Sequence, residues 1–218
     1  MGPGVAGDWA AVDCQVSDQT GHVSGSCAAA SEFAERLLME AGGGLPIGWG
    51  NLSYEEVVSE LLELNIWYMR VEEGPPKILR KAQATMIRSV LAVLEAEDTG
   101  TEVFMGHDTQ LIALAGALDL TWNPSPYPTD AMLPGSALRF DLRGDMVDIS
   151  YVYPSSLRDD DGTMSSVPAF PVSVSLSQFR EKVELGSVAA CAPRSILRRL
   201  SQQRGSHRGS HRGSHRGS

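Results

Sequence analysis

Apolar side chains recur along this chain first at helical spacing and later at alternating spacing. Phe33, Leu37 and Leu38 give residues 26 to 41 one apolar face, a helix with Ser26 or Ser31 as its cap and Gly42-Gly43-Gly44 as its stop. Pro46-Ile47-Gly48-Trp49-Gly50 reads as a turn. Ser53-Tyr54-Glu55-Glu56 is a capping box, in which hydroxyl and carboxylate satisfy free N–H groups reciprocally. It opens a helix to about Val71 whose buried stripe is Val57, Leu61, Leu64 and Tyr68, with Trp67 as a further candidate. Gly74-Pro75-Pro76 breaks that helix and starts the next, since a proline suits the first turn. Residues 76 to 97 carry apolar side chains at 79, 82, 86, 90, 93 and 94. Residues 26 to 97 are therefore expected as a helical domain portion, preceded by an irregular segment over 1 to 25.

After Asp98-Thr99-Gly100 the period changes. A strand is expected over 102 to 106, central in a sheet, and a helix over 109 to 118. Leu118 to Trp122 leads into a loop with Pro124, Pro126, Pro128 and Pro134. Ser136 to Leu142 and Met146 to Tyr153 form a hairpin around Arg143-Gly144-Asp145. A surface loop over 155 to 168, a strand over 169 to 174 and a short helix over 176 to 184 complete an α/β portion spanning 98 to 195. The tail from 196 to 218 repeats Arg, Gly, Ser and His without an apolar residue after Leu200, a composition that cannot offset the entropy of ordering.

Charge narrows the partners. The chain has 218 residues and a net charge of −9, although its last eighteen residues add four arginines, so the body is more acidic still. Such a surface excludes nucleic acid and anionic membranes, which are held by Lys and Arg. No run of about 18 apolar residues is present, which excludes a membrane span. The start lacks the basic and apolar stretches of a secretory leader, and as written the chain would stay in the cytosol. Cys14, Cys27 and Cys191 have no metal-like spacing, and their bland reading is as free buried thiols. His207, His211 and His215 could hold Zn²⁺ or Ni²⁺ if the tail coiled, but glycine at every fourth position argues against that helix. No cofactor or metal is expected.

Chemistry concentrates in Gly106-His107-Asp108-Thr109, where the expected strand turns into an apolar helix. A helix N-terminus presents N–H groups and the positive end of a dipole, so an anion such as phosphate is its natural guest. The structural alternative is a satisfied imidazole and an N-capping carboxylate with no chemistry. Thr109 has two compatible readings, as the cap of the helix or as a further contact to a phosphate oxygen.

Gly106-His107-Asp108-Thr109-Gln110, followed by Leu111, Gly116-Ala117-Leu118 and Trp122, resembles the second signature of the histidine acid phosphatases, in particular their phytase and glucose-1-phosphatase branch. Gly48-Trp49-Gly50, the Arg80 to Leu94 helix, Pro134-Gly135-Ser136 and the Cys191 region occur in the same order there. The likeness spans roughly residues 20 to 192, the second half of such an enzyme. It implies a mostly parallel α/β sheet domain with an associated helical domain. It implies hydrolysis of phosphate monoesters through a phosphohistidine, with His107 as a second imidazole touching the phosphoryl group and Asp108 as the acid that protonates the leaving alcohol. Asp108 would serve only when protonated, and burial at a strand end beside a phosphate would raise its pKa in that direction. Exported relatives imply a periplasmic or secreted parent.

The chain departs from that pattern in one respect. No Arg-His-Gly-x-Arg-x-Pro segment, the source of the nucleophilic histidine, occurs in it. His22 is expected as a surface or capping residue, and Arg70, Arg80 and Arg88 on solvated helix faces. Three readings follow: part of a phosphomonoesterase that acts on a small phosphorylated substrate and needs the missing N-terminal half, a pseudoenzyme that binds a phosphorylated ligand or partner, and a structural module whose tail does the binding. Trp67, Tyr68 and Met69 are candidate substrate contacts, with core packing as the alternative.

Overall fold

The computed structural model describes residues 13–17, 22–74, 81–96, 100–157 and 162–191. In chain order the elements are β1 (Cys14–Val16), β2 (Val23–Gly25), α1 (Ser26–Gly42), a 3-10 turn (Ile47–Gly50), α2 (Tyr54–Glu56), a π-type turn (Val57–Leu61) and α3 (Leu62–Glu72). They are followed by α4 (Lys81–Leu94), α5 (Asp108–Leu118), β3 (Ala137–Arg143), β4 (Met146–Pro154), β5 (Met164–Ser175) and α6 (Leu176–Cys191). Arg80, position 79 and the 196 to 218 tail lie outside the described residues.

The first helices form largely where the pattern puts them, with their faces turned. The capping box is present: Glu56 N–H donates to Ser53 Oγ at 3.2 Å and Ser53 N–H to Glu56 Oε2 at 2.7 Å. One turn later the backbone goes through the π-type turn, whose extra residue per turn rotates everything after it. The buried positions become Val57, Val58, Leu61, Leu62 and Met69, while Leu64 and Tyr68 are half-buried and Trp67 is exposed. In α1 the buried face is Cys27, Ser31, Ala34, Leu37, Leu38 and Ala41, and Phe33 is exposed. Gly25 precedes this helix without a side-chain cap. Ser26 Oγ instead accepts from Asp13 N–H at 2.9 Å, and Ser31 Oγ accepts from Asn65 Nδ2 at 3.2 Å. In α4 the stripe is Ala84, Ile87, Val90, Leu91 and Leu94, and Met86 and Val93 are half-buried.

Residues 14 to 25, expected to be irregular, contain the β1–β2 hairpin, with Cys14 opposite Gly25 and Val16 opposite Val23. The second sheet has the order β3-β4-β5 and is antiparallel throughout. Strand β5 begins at Met164, inside the stretch expected as a loop, because residues 164 to 168 pair with the end of β4. Helix α6 runs past the expected end at 184 to Cys191.

The larger correction concerns residues 101 to 107. They form no strand ladder, and Val103, Phe104 and Met105 stand 76%, 43% and 88% exposed. A strand is stabilised by neighbours on its edges, and neither sheet among the described residues includes this segment.

One continuous core joins the helices to the three-stranded sheet. Helix α5 lies in its middle, with Ile112, Ala113, Leu114, Ala115, Ala117 and Leu118 buried. Burial of each of the larger of these side chains contributes about 1.5–3 kcal/mol. Trp122, buried just past α5, stacks on Tyr151 of β4 at a centroid distance of 4.7 Å and donates from Nε1 to Ala131 O at 2.9 Å. Arg70, expected on a solvated face, lies over the Trp122 ring at 5.1 Å and pairs with Asp130 at 2.8 Å. Arg88 is exposed. Among the described residues, no helix is long and apolar enough to cross a membrane.

Candidate functional site

Helix α5 begins where a polar turn interrupts an apolar run. His107 is its N-cap in extended conformation (φ −107°, ψ 169°) and Asp108 its first residue. Gln110 Oε1 accepts from His107 N–H at 2.6 Å, which closes the start of the helix. Asp108 Oδ1 accepts from Thr109 N–H at 2.7 Å. An acidic side chain in the first turn also interacts favourably with the helix dipole. Thr109 is half-buried, two residues after His107.

His107 and Asp108 are both exposed. The buried carboxyl expected at a strand end is therefore not found, because the segment leading into α5 is itself uncovered. His107, Gly106 and Gln110, with Met86 of α4 and Met105, line an open hollow of about 420 Å³. Gly106 keeps this wall close: a Cβ there would meet Met86 Cε at 3.3 Å and Gln110 Oε1 at 3.4 Å.

A further carboxylate, which sequence reading passed over, feels the charge of Asp108. Partial burial, then the negative charge of Asp108, then that of Glu32 push Glu35 of α1 above its usual carboxyl range, against a smaller opposing effect of Arg36. Two acids that repel one another cannot both ionise freely, so one is held toward its protonated form. The residues are far apart in sequence, and only the packing of α1 reveals their relation.

The other candidates fall elsewhere. His22 is largely exposed, and its Nδ1 lies 3.2 Å from Glu72 Oε1, a contact between the end of the β1–β2 loop and α3. Met69 is buried in the core, Trp67 is exposed, and Tyr68 is half-buried with its hydroxyl engaged by Glu72. Among the described residues, no group of three or more His, Cys, Asp or Glu side chains could hold a metal ion.

No protein-family model matches the chain. It is 24% identical over 190 residues to phytase AppA of Escherichia coli (strain K12), an alignment covering 78% of this chain and 44% of that protein. The structure is similar to the phytase of Citrobacter braakii, with a TM-score of 0.64 and 23% identity, covering 84% of this chain and 54% of that one. It is also similar to the phytase of Hafnia alvei, solved in complex with tartrate, with a TM-score of 0.65, 24% identity and the same coverages. The chain spans about half the length of these relatives. Its sequence is similar to that of a phytase, and it shares the fold of the phytase structures over the part it covers.

Proposed function

We propose that this chain carries the leaving-group half of a phosphomonoesterase active site. The reading rests on one observation: His107 and Asp108 stand exposed, side by side, at the N-terminus of α5. In this reading His107 contacts the phosphoryl group and Asp108 protonates the leaving alcohol. As the P–O bond breaks, electrons move onto the ester oxygen and a proton moves from Asp108 to it. Phosphoryl transfer passes through a loose transition state, so charge stabilisation and a positioned proton are the main contributions a protein can make. Asp108 Oδ1 is held by the Thr109 N–H, which leaves Oδ2 to carry the proton.

The nucleophilic histidine and the phosphate-clamping arginines come, in this reading, from an Arg-His-Gly-x-Arg-x-Pro segment that the sequence does not contain. The uncovered apolar segment before His107 supports the same view, since a companion portion of the fold would lie against it. The substrate class is a small phosphate monoester.

Turnover of p-nitrophenyl phosphate and phytate at acid pH tests the proposal. Residues 1 to 218 alone should show none above background. Co-production with the portion of a phytase relative that this chain does not cover should create turnover. Robust hydrolysis by the chain alone, with a covalent phosphate on one of its own side chains, would overturn the half-site reading. A second reading is a pseudoenzyme that binds a phosphorylated ligand through the exposed His107 without turnover. Calorimetric binding of phytate by the chain alone, abolished by replacing His107, with no gain of turnover on co-production, would select it.

A further inference from the structure

The β1–β2 hairpin and the first turn of α1 converge on two thiols. Antiparallel pairing sets Cys14 opposite Gly25, and Asp13 is tied to Ser26 by two contacts: Asp13 N–H donates to Ser26 Oγ at 2.9 Å, and Ser26 Oγ to Asp13 O at 3.5 Å. Cys27 is the next residue. Its side chain is fully buried, with Sγ donating to Ser24 O at 3.6 Å, whereas Cys14 is exposed. Both thiols are free in this structure, and the Cys27 thiol is the largest influence on that of Cys14. Gly25 makes the approach possible. It has φ +95°, and a Cβ there would lie 2.2 Å from Asp13 O.

We propose that Cys14 and Cys27 are a thiol–disulfide pair, and that oxidation joins them into a staple between β1 and the start of α1. The oxidant is a low-molecular-weight disulfide such as oxidised glutathione. The exposed Cys14 thiolate attacks one of its sulfurs, breaks its S–S bond and releases a thiolate. The Cys27 thiolate then attacks the Cys14 sulfur of the mixed disulfide, forms the Cys14–Cys27 bond and releases the second thiolate. Two protein thiols are oxidised, one disulfide is reduced to two thiols, and the two protons lost by the protein are taken up by the departing thiolates. The neighbouring Cys27 thiol, with smaller contributions from burial and the Asp13 charge, pushes the Cys14 thiol up to about 11. Exchange is therefore slow at neutral pH and accelerates as pH rises toward that value, since the thiolate is the attacking species.

Peptide mapping tests the pairing directly. No Lys or Arg precedes Arg36, so trypsin leaves both cysteines in one peptide, residues 1 to 36. After incubation of the folded chain with oxidised glutathione and alkylation in denaturant, this peptide should take no label and be lighter by two hydrogens, while Cys191 is alkylated. The C191S variant should behave identically. Full alkylation at 14 and 27, a glutathione adduct persisting on Cys14, or a bond from either to Cys191 would overturn the proposal. A second variant separates the hairpin from mere closeness in sequence. G25A, which drives a methyl into Asp13 O, should slow closure at least tenfold, and an unchanged rate would mean that the fold does not organise the pair.

Discussion

The carbonyl oxygen of Gly74, just past α3, lies so close to Gly116 of α5 that a Cβ at 116 would stand 1.6 Å from it. No side chain fits there, and the obstacle is backbone. On helix propensity alone alanine at 116 would stabilise α5 by about 1 kcal/mol. The steric conflict wins, because the backbone must move and overpacking of this kind costs about 1–3 kcal/mol or more. Gly116→Ala should therefore lower the denaturation midpoint in urea. An unchanged or raised midpoint would mean that α3 and α5 are not packed so closely.

Arg70 connects α3 to the chain beyond α5. Its two terminal nitrogens each donate to Leu120 O at 3.1 Å, it pairs with Asp130, and it covers the Trp122 ring. Asp130 in turn holds Thr121 Oγ1 at 2.6 Å and Trp122 N–H at 2.9 Å. Removing the guanidinium leaves a half-buried carboxylate and a carbonyl without these donors. Arg70→Ala is expected to cost about 2–3 kcal/mol, and Arg70→Lys an intermediate amount, because an ammonium cannot reproduce the fork. Urea titrations of both variants measure this. A loss below about 0.5 kcal/mol for alanine would equate Arg70 with an ordinary surface charge.

Glu72 supplies a pH dependence. Burial acts to raise its pKa, but hydrogen bonds from Tyr68, His22 and the Val23 N–H outweigh burial and hold it below the usual value of 4.5. A carboxyl with a depressed folded pKa adds stability above its unfolded pKa, and that contribution is lost as pH falls through the folded value. The Tm of the wild-type chain should exceed that of Glu72→Gln at pH 6, and the gap should close progressively below pH 4.5. A gap that widens on acidification would reverse the sign of the shift.

Val103, Phe104 and Met105 give the surface a contiguous apolar ribbon next to His107. Such ribbons bind hydrophobic dyes and promote association. Met105→Lys should reduce dye fluorescence and raise solubility without lowering Tm, since the side chain is 88% exposed. A fall in Tm would show that Met105 is packed in solution.

These examples mark where local pattern informs and where it fails. The Ser53/Glu56 capping box, the Gly144 hairpin and the start of α5 are short-range features, and all three were legible from adjacent residues. The π-type turn at Val57–Leu61 was not, because nothing in the apolar spacing distinguishes it from a regular turn, and it displaces the buried face of all that follows. Residues 102 to 106 have a strand's composition, but a strand also needs an edge to pair with, which a sequence cannot display. At the site, the Gly106 to Thr109 run was legible as a motif. The cap supplied by Gln110 and the repulsion between Glu35 and Asp108 depend on side-chain direction and on α1 packing. Arg70 looked solvated because its partners Trp122 and Asp130 lie far along the chain.

The role proposed for Asp108 makes the most specific claim about chemistry. In the protein assembled with its complementary portion, Asp108→Asn removes the transferable proton while preserving size and the acceptor for Thr109 N–H. Loss of a positioned general acid slows a reaction by about 10²–10⁴-fold when the leaving group needs a proton. An alkyl phosphate releases a strongly basic alkoxide and should show the full loss. p-Nitrophenolate is a stable anion and leaves with little need for protonation, so its kcat should fall far less. Comparison of kcat on the two substrates reads out the role. Equal losses would assign Asp108 to binding or to capping α5, because neither function distinguishes one leaving group from another.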